Sequence, residues 1–244
     1  ADKTLYIADG HHRYETALVY QKEQHEAACK IAPCPSPSGN EPFNFVMMTL
    51  MDCEDPGLLT LPTHRLVRLP PTCNVKGLEE KLNALFHLEE LPQCGSSSAQ
   101  TLANWLSSLN EKGGGAIGLY GLRGKGLCSL VPRDRKALRD TMPSTHSPVW
   151  KDLDVSILHH VILGKMMGIS GPKRERESLS YTINESEAIS RVDSGEYQLV
   201  FLLNPISVPS VLEVADADDR MPRKSTYFYP KLPTGLVMSP VGDL

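Results

Sequence analysis

Along the chain, apolar and polar positions switch between strand-like runs and helix-like stripes, a pattern that predicts a mixed α+β fold. Thr4–Ala8 is an apolar, strand-forming run that enters Asp9-Gly10-His11-His12-Arg13. A helix is expected from His12 to about Ala28, with Tyr14, Ala17 and Leu18 near one stripe. Pro33 to Pro42 holds too many prolines for a helix and reads as a loop. Phe43–Met51 is too apolar for a solvent-facing edge, so it predicts a buried strand beside Leu5–Ala8. Asp52–Gly57 turns the chain, and Leu59–Leu69 is extended around Pro62.

Past Pro70-Pro71 the composition changes. Leu78, Leu82, Leu85 and Phe86 stripe a helix over Val75–Phe86, and Leu88–Leu91 follows as a short strand. Ser96-Ser97-Ser98 offers an N-cap to a helix Ala99–Leu109, which Gly113-Gly114-Gly115 breaks. Ala116–Gly121 and Gly126–Val131 read as a hairpin over Arg123-Gly124. Asp152–Met167 is expected as one helix, with Leu153, Ile157, Val161 and Met166 or Met167 inward and an end at Gly168 and Gly171. Lys173–Glu177 is a charge run expected as a solvated loop, and Asn184 caps a helix to Asp193. Tyr197–Asn204 is a buried strand, and Val208–Ala215 begins another helix. Three parts follow: 1–70 around the Gly10 turn, 72–140 as a small α/β subdomain, and 148–244 as an α/β part packing back on the first.

With 244 residues, 41% hydrophobic and 22% charged, the chain suffices for one or two packed cores. A net charge of −4 leaves no electrostatic footprint for nucleic acid. No apolar run approaches the ~18 residues of a membrane span, so no membrane partner is expected. Six cysteines lie scattered without a Cys-x-x-Cys pair, which favours reduced thiols and a cytoplasmic protein. Cys29 and Cys34 flank Pro33 at a spacing that fits no common zinc pattern, and no residue is singled out as a metal ligand.

Chemistry concentrates first at Asp9–Arg13. A strand, a Gly turn and a helix start aim free N–H groups and the positive end of the helix dipole at one spot. Gly10 lets a phosphate approach the backbone, Arg13 offers a planar fork, and His11 and His12 can donate. The plainer alternative is a turn before an amphipathic helix with solvated basic residues. His64-Arg65 in its extended segment either ends a surface strand with a salt bridge or meets a phosphate or carboxylate in the same cleft as the loop. His159 and His160 point about 100° apart on a helix and cannot share one metal, so His159 is expected to pack or cap at a domain contact. Lys224-Ser225-Thr226, with Tyr227, Tyr229 and Lys231, either closes over a nucleotide or clamps the C-terminal segment. Gly121–Gly126 lies in a hairpin, away from any strand-to-helix turn, which argues against a Rossmann or Walker site.

Ala8-Asp9-Gly10-His11-His12-Arg13 resembles the phosphate-binding loop of the ParB/sulfiredoxin superfamily, and its Asp-Gly-His-His-Arg form resembles that of the free-serine kinases. With Leu61–Val67, Leu153–His159, Met221–Lys231 and Thr234–Val237 in order, the chain is similar to the family called domain of unknown function 1015. The resemblance implies a ParB/sulfiredoxin-like nucleotide-binding core with an additional α/β subdomain. It implies a nucleotide-dependent phosphotransferase using Mg²⁺ with ATP or ADP and a small hydroxyl substrate such as serine. Gly10, His11, His12, Arg13, His64, Arg65, Lys224, Ser225 and Thr226 would hold the nucleotide, and Asp9, Glu15 and His12 would serve catalysis. Members of the family carry a long segment ahead of this loop, so the chain is expected to be a fragment whose general base lies upstream. Its unpaired first strand would then favour a homodimer. A non-catalytic nucleotide-binding regulator and a phosphate-ester hydrolase are the alternatives.

Overall fold

The structure, a computed structural model, describes residues 3–31, 39–90, 99–111, 116–233 and 235–239. In chain order its elements are α1 (His11–Ile31), β1 (Leu59–Leu61), β2 (His64–Val67), α2 (Val75–Leu85), β3 (Phe86–Glu90), α3 (Ala99–Glu111), β4 (Ile117–Gly121) and β5 (Gly124–Pro132). Then come α4 (Arg135–Asp140), α5 (Pro148–Asp152), α6 (Asp154–Ser156), a π-helical segment (Ile157–Met166), α7 (Pro172–Ser178), β6 (Leu179–Thr182), α8 (Glu185–Asp193), β7 (Leu199–Leu202), α9 (Val208–Asp216) and β8 (Tyr227–Tyr229). They fall into two compact units, one of residues 1–59 with 228–244 and one of residues 60–227.

The larger unit is built on a six-stranded sheet in the order β3-β5-β4-β7-β2-β6, with antiparallel neighbours throughout. Both faces are covered. Leu199, Phe201 and Leu203 pack with Val67, Ile117 and Leu119 in one core, together with Leu78 and Leu82 of α2 and Val161 and Ile162 of the π-helical segment. Val200 and Leu202 pack in a second core with Leu66, Tyr120, Leu102 and Leu106 of α3 and Ala188 of α8. Alternation along a strand sends successive side chains to opposite faces, so β7, covered on both, is apolar at every position.

Local chemistry sets most of the boundaries. Asn74, Asp134, Ser147, Asn184 and Ser207 each accept a main-chain N–H in the first turn of the helix that follows. The helix expected over Asp152–Met167 is instead divided. Leu153 is extended, and the Asp154 carboxylate accepts the Val155 N–H at 2.6 Å, starting a new helix there. That helix widens into the π-helical segment, where Ile157, Leu158, Val161, Ile162, Leu163 and Met166 are all buried. Lys173–Glu177 is helical rather than a loop, within α7, because Pro172 occupies its first turn and Glu and Arg are good helix formers.

In the smaller unit, α1 carries a 3₁₀ turn, Pro42–Asn44, against its side. Gln21 Nε2 donates to Asn44 Oδ1 at 2.9 Å, and His25 meets the Phe43 ring edge-on at 5.0 Å. Two expected strands do not form. Thr4–Ala8 is irregular, and Phe45–Met51 is irregular and open to solvent, with Leu50 69% exposed. A strand needs a neighbouring strand to take its N–H and C=O groups, and no described strand pairs with either segment. Cys29 is disulfide-bonded, which corrects the expectation of reduced thiols at that position, while Cys53, Cys73 and Cys128 are free. Most of the Pro33–Pro42 loop and the Ser96–Ser98 cap lie outside the described residues. Among the described residues no helix is long and apolar enough to cross a membrane.

The β4–β5 hairpin turns at Gly121, whose φ is 96° and where a Cβ would run into the main-chain carbonyl of Gln198. Gly121→Ala is expected to lower stability by about 2–4 kcal/mol in urea unfolding. Gly124→Ala, at φ 67° with open space around it, is expected to cost about 1 kcal/mol.

Candidate functional site

In the smaller unit the turn at Gly10 is built as a strained approach to α1. Gly10 has φ 82°, its N–H donates to Asp9 Oδ1 at 2.8 Å, and its carbonyl accepts Tyr14 N–H at 3.0 Å to open the helix. The main-chain amides of His11, His12 and Arg13 precede the first intrahelical bond and face the turn. The Arg13 side chain folds back over it, so that a Cβ on Gly10 would lie 2.8 Å from Arg13 Nη2. Glycine, with no Cβ, lets the guanidinium lie that close to the turn.

Lys231 completes the group. Its Nζ lies 2.8 Å from Asp9 Oδ2, joining the C-terminal segment to the turn. The Lys231 hydrogen bond holds the Asp9 carboxyl below its ordinary pKa, with help from the Gly10 amide and the Lys231 and Arg13 charges. Asp9 is therefore a committed carboxylate and a weak proton acceptor. Glu15 is the other acid beside the turn, with Oε2 3.3 Å from His12 Nδ1, and both side chains are open to solvent.

His64, Arg65 and Lys224–Thr226 lie in the larger unit. Strand alternation turns His64 and Arg65 to opposite faces of the sheet, so they do not converge on one ligand. His64 is fully buried on the α8 side. Its Nδ1 accepts Leu203 N–H at 3.2 Å, which places the proton on Nε2, 3.6 Å from Glu185 Oε1. That separation is too long for a hydrogen bond, and Nε2 has no hydrogen-bond partner among the described residues. The Nε2 N–H, aimed at the carboxylate, is nonetheless the foremost cause holding the Glu185 carboxyl below its ordinary pKa.

Arg65 is 4% exposed. Its guanidinium donates to the main-chain carbonyl of Thr63 and, at 2.9 Å, to that of Lys224, and it lies 5.6 Å from the Tyr181 ring centroid. Burial lowers its pKa to about 10, opposed by the charges of Tyr181 and Asp154. Asp154 as a residue is only partly buried, but its carboxyl group is enclosed by protein, and this desolvation raises its pKa to about 6. The Val155 and Asn204 amides and the Arg65 charge offset part of the rise. His159, expected to pack, lies half-buried with Nε2 3.8 Å from Glu175 Oε1.

The segment entering β8 is tied to this region. Lys224 takes the left-handed φ of 59° and offers its carbonyl to Arg65, while its side chain is exposed. The buried Ser225 hydroxyl donates to the Pro222 carbonyl and closes the turn, and Thr226 is half-buried. Of the cluster read from the sequence, Lys231 reaches the Gly10 turn, whereas Lys224 and Ser225 have structural bonds in the larger unit. Asp154 and Glu185 carried no local signal, because their partners stand 89 and 121 positions away in the chain. Among the described residues no three His, Cys, Asp or Glu side chains converge to hold a metal.

Comparison with known proteins adds the following. The family model described as "Protein of unknown function (DUF1015)" matches residues 1–156. No curated protein matches the chain in sequence. Among solved structures the chain is similar to a conserved hypothetical protein from Pyrococcus furiosus, with TM-score 0.44 and 16% identity, over 76% of this chain and 62% of that one. It is also similar to a free serine kinase variant in complex with AMP, with TM-score 0.43 and 12% identity, over 74% and 57% of the two chains. For a free serine kinase variant in complex with ADP the TM-score is 0.39 and the identity 9%, over the same shares. The chain thus spans about three-fifths of the length of these structures.

Asp154 makes stability depend on pH in a set direction. Its folded pKa, about 6, stands above the unfolded value of 3.8, so the folded state binds the proton more tightly. This group's contribution is most favourable below the unfolded value and is lost as pH rises through 6, by on the order of 3 kcal/mol. Urea unfolding from pH 4.5 to 7.5 is expected to show about 2 kcal/mol of this fall, and Asp154→Asn is expected to remove it.

Proposed function

The chain belongs to the DUF1015 family of proteins of unknown function, and on that footing we propose that it binds the phosphates of a nucleotide at the Gly10 turn and transfers a phosphoryl group to a small hydroxyl compound. One observation carries the reading: the left-handed Gly10 turn runs directly into the 21-residue helix α1, with Arg13 folded over the turn and Lys231 beside it. Three main-chain amides, the helix dipole and two cations then address the same small volume, which is the chemistry of a phosphate cradle. The missing Cβ at Gly10 is what lets the Arg13 guanidinium lie against the turn, where a phosphate would meet it.

In this reading the residues divide the work. The amides of His11–Arg13 and the Arg13 fork take phosphoryl oxygens, and His11 and His12 add donors. Lys231 exchanges its bond to Asp9 for one to phosphate as the nucleotide enters. Asp9 orients the turn through the Gly10 amide and holds Lys231 in reserve, a positioning role rather than that of a base. Glu15, set beside His12, accepts the proton of the acceptor hydroxyl as its oxygen bonds to phosphorus and the bond to the leaving nucleotide oxygen breaks. Mg²⁺ carried in with ATP or ADP would neutralise phosphate charge, since these residues supply cations and a single committed carboxylate to the phosphates. Serine is the first acceptor to test.

The commitment of Asp9 to Lys231 favours one other reading, in which the same turn binds nucleotide without chemistry and acts as a regulator.

Calorimetry with ATP and with ADP, each with Mg²⁺, tests the site. Arg13→Ala is expected to cost about 3 kcal/mol of nucleotide binding or transition-state stabilisation. Gly10→Ala should abolish binding while leaving the larger unit folded, and Lys231→Ala should weaken binding about tenfold or more. Heat and phosphoserine on adding L-serine would support transfer, and binding without turnover of any hydroxyl acceptor would support the regulator. Nucleotide binding by Arg13→Ala equal to that of the parent would overturn the assignment.

A further inference from the structure

In the larger unit the residues entering α5, those after α9 and the π-helical segment bring two imidazoles together around Trp150. Trp150 is buried and its Nε1 donates to the Arg220 carbonyl at 2.9 Å, so its ring is a fixed plate. His146 lies flat on that plate with ring centroids 3.7 Å apart, and His160 meets it edge-on at 4.9 Å.

Asp219 orients His146 further. The Nδ1–Oδ1 separation is 2.8 Å, and the Asp219 carboxylate also accepts the main-chain N–H groups of Ser147 and Arg220, each at 2.8 Å. A carboxylate only accepts, so Nδ1 carries the proton and Nε2 keeps its lone pair. Metal-binding imidazoles are held in this way, with the second nitrogen donating to a carboxylate that fixes the tautomer and the ring plane. His146 Nε2 makes no hydrogen bond to the described residues and reaches solvent, as do both ring nitrogens of His160. The spacing agrees as well. An ion bound at about 2.0–2.1 Å by one nitrogen from each of two imidazoles sets the ring centroids roughly 5–6 Å apart, and those of His146 and His160 stand at 6.0 Å.

We propose that His146 Nε2 and one ring nitrogen of His160 bind a divalent transition-metal ion such as Zn²⁺, Ni²⁺ or Cu²⁺, with Asp219 as a positioning residue and water in the remaining coordination positions. Two imidazole donors select ions of this class over Mg²⁺ and Ca²⁺, which take oxygen ligands. His159, with Nε2 3.8 Å from Glu175 Oε1, turns to a different partner. The charge of Lys165 reaches His160, but its ammonium is engaged by the Thr141 carbonyl. This site stands on its own residues and does not depend on the Gly10 turn binding anything.

The test uses the full chain, titrated at pH 7.5 with Zn²⁺ and with Ni²⁺ by calorimetry, with tryptophan fluorescence followed in parallel. Saturable binding of one ion at this site is expected, and Ni²⁺ held beside the Trp150 ring should quench its emission. Loss of the carboxylate behind a metal-binding imidazole costs about 10–100-fold in affinity, so Asp219→Asn should weaken binding within that range. An Asp219 that only tied Ser147 to the segment after α9 would not produce this change. His146→Ala and His160→Ala should weaken binding further and abolish the quenching. His12→Ala should bind as the parent does, which separates this site from the exposed histidine at the Gly10 turn. His160 makes no hydrogen bond to the described residues, so His160→Ala is expected to fold, and it decides alone should the other two variants fail by circular dichroism. No saturable binding by the parent, or binding and quenching retained in a folded His146→Ala or His160→Ala, would each overturn the proposal.

Discussion

Burial of the Arg65 guanidinium on β2 constrains much of the larger unit. A cation removed from water costs several kcal/mol unless hydrogen bonds and opposite charge are assembled around it. That assembly draws on distant parts of the chain: the Thr63 carbonyl beside it, the Lys224 carbonyl from the segment before β8, the Tyr181 ring from β6, and the Asp154 charge from α6. The Asp154 carboxylate also accepts the Val155 amide in the first turn of α6, just past the extended Leu153 and ahead of the π-helical segment. Lys224 in a left-handed conformation is a further cost, borne where its carbonyl meets the guanidinium.

The smaller unit works on a different principle. Among its described residues few apolar side chains are buried, and polar contacts join its parts: Asn44 with Gln21 and His25, and Lys231 with Asp9. Exposed pairs of this kind are individually weak. They are well suited to a site that exchanges partners, because a phosphate can replace a carboxylate on Lys231 at small net cost.

Elements with local causes were legible in the amino-acid sequence. Asn184 caps α8 from one residue away, the glycines around Arg123 mark the β4–β5 hairpin, and the continuous apolar run at Leu199–Leu202 marks a strand covered on both faces. Phe43–Met51 has the same apolar character as β7 but no strand beside it among the described residues, and β-propensity expresses packing more than backbone preference. The Gly10 turn was readable because glycine and helix start are contiguous, although the strand expected before them does not form. The Lys231–Asp9 pair spans 222 positions and the Arg65–Lys224 bond 159, so no local pattern could announce either.

The antiparallel sheet also dictates an order of events during synthesis. β2 can pair on either side only with β6 and β7, so residues 64–67 await residues 179–182 and 199–202. At about 5–20 residues per second the ribosome needs roughly 7–27 s to travel from β2 to the end of β7. Throughout that interval the polar pair His64-Arg65 leads a strand whose other two residues are apolar, and it keeps the nascent segment hydrated and poorly adhesive. The charge that later has to be buried thus acts first as a solubilising group, guarding an incomplete sheet until its remaining strands emerge.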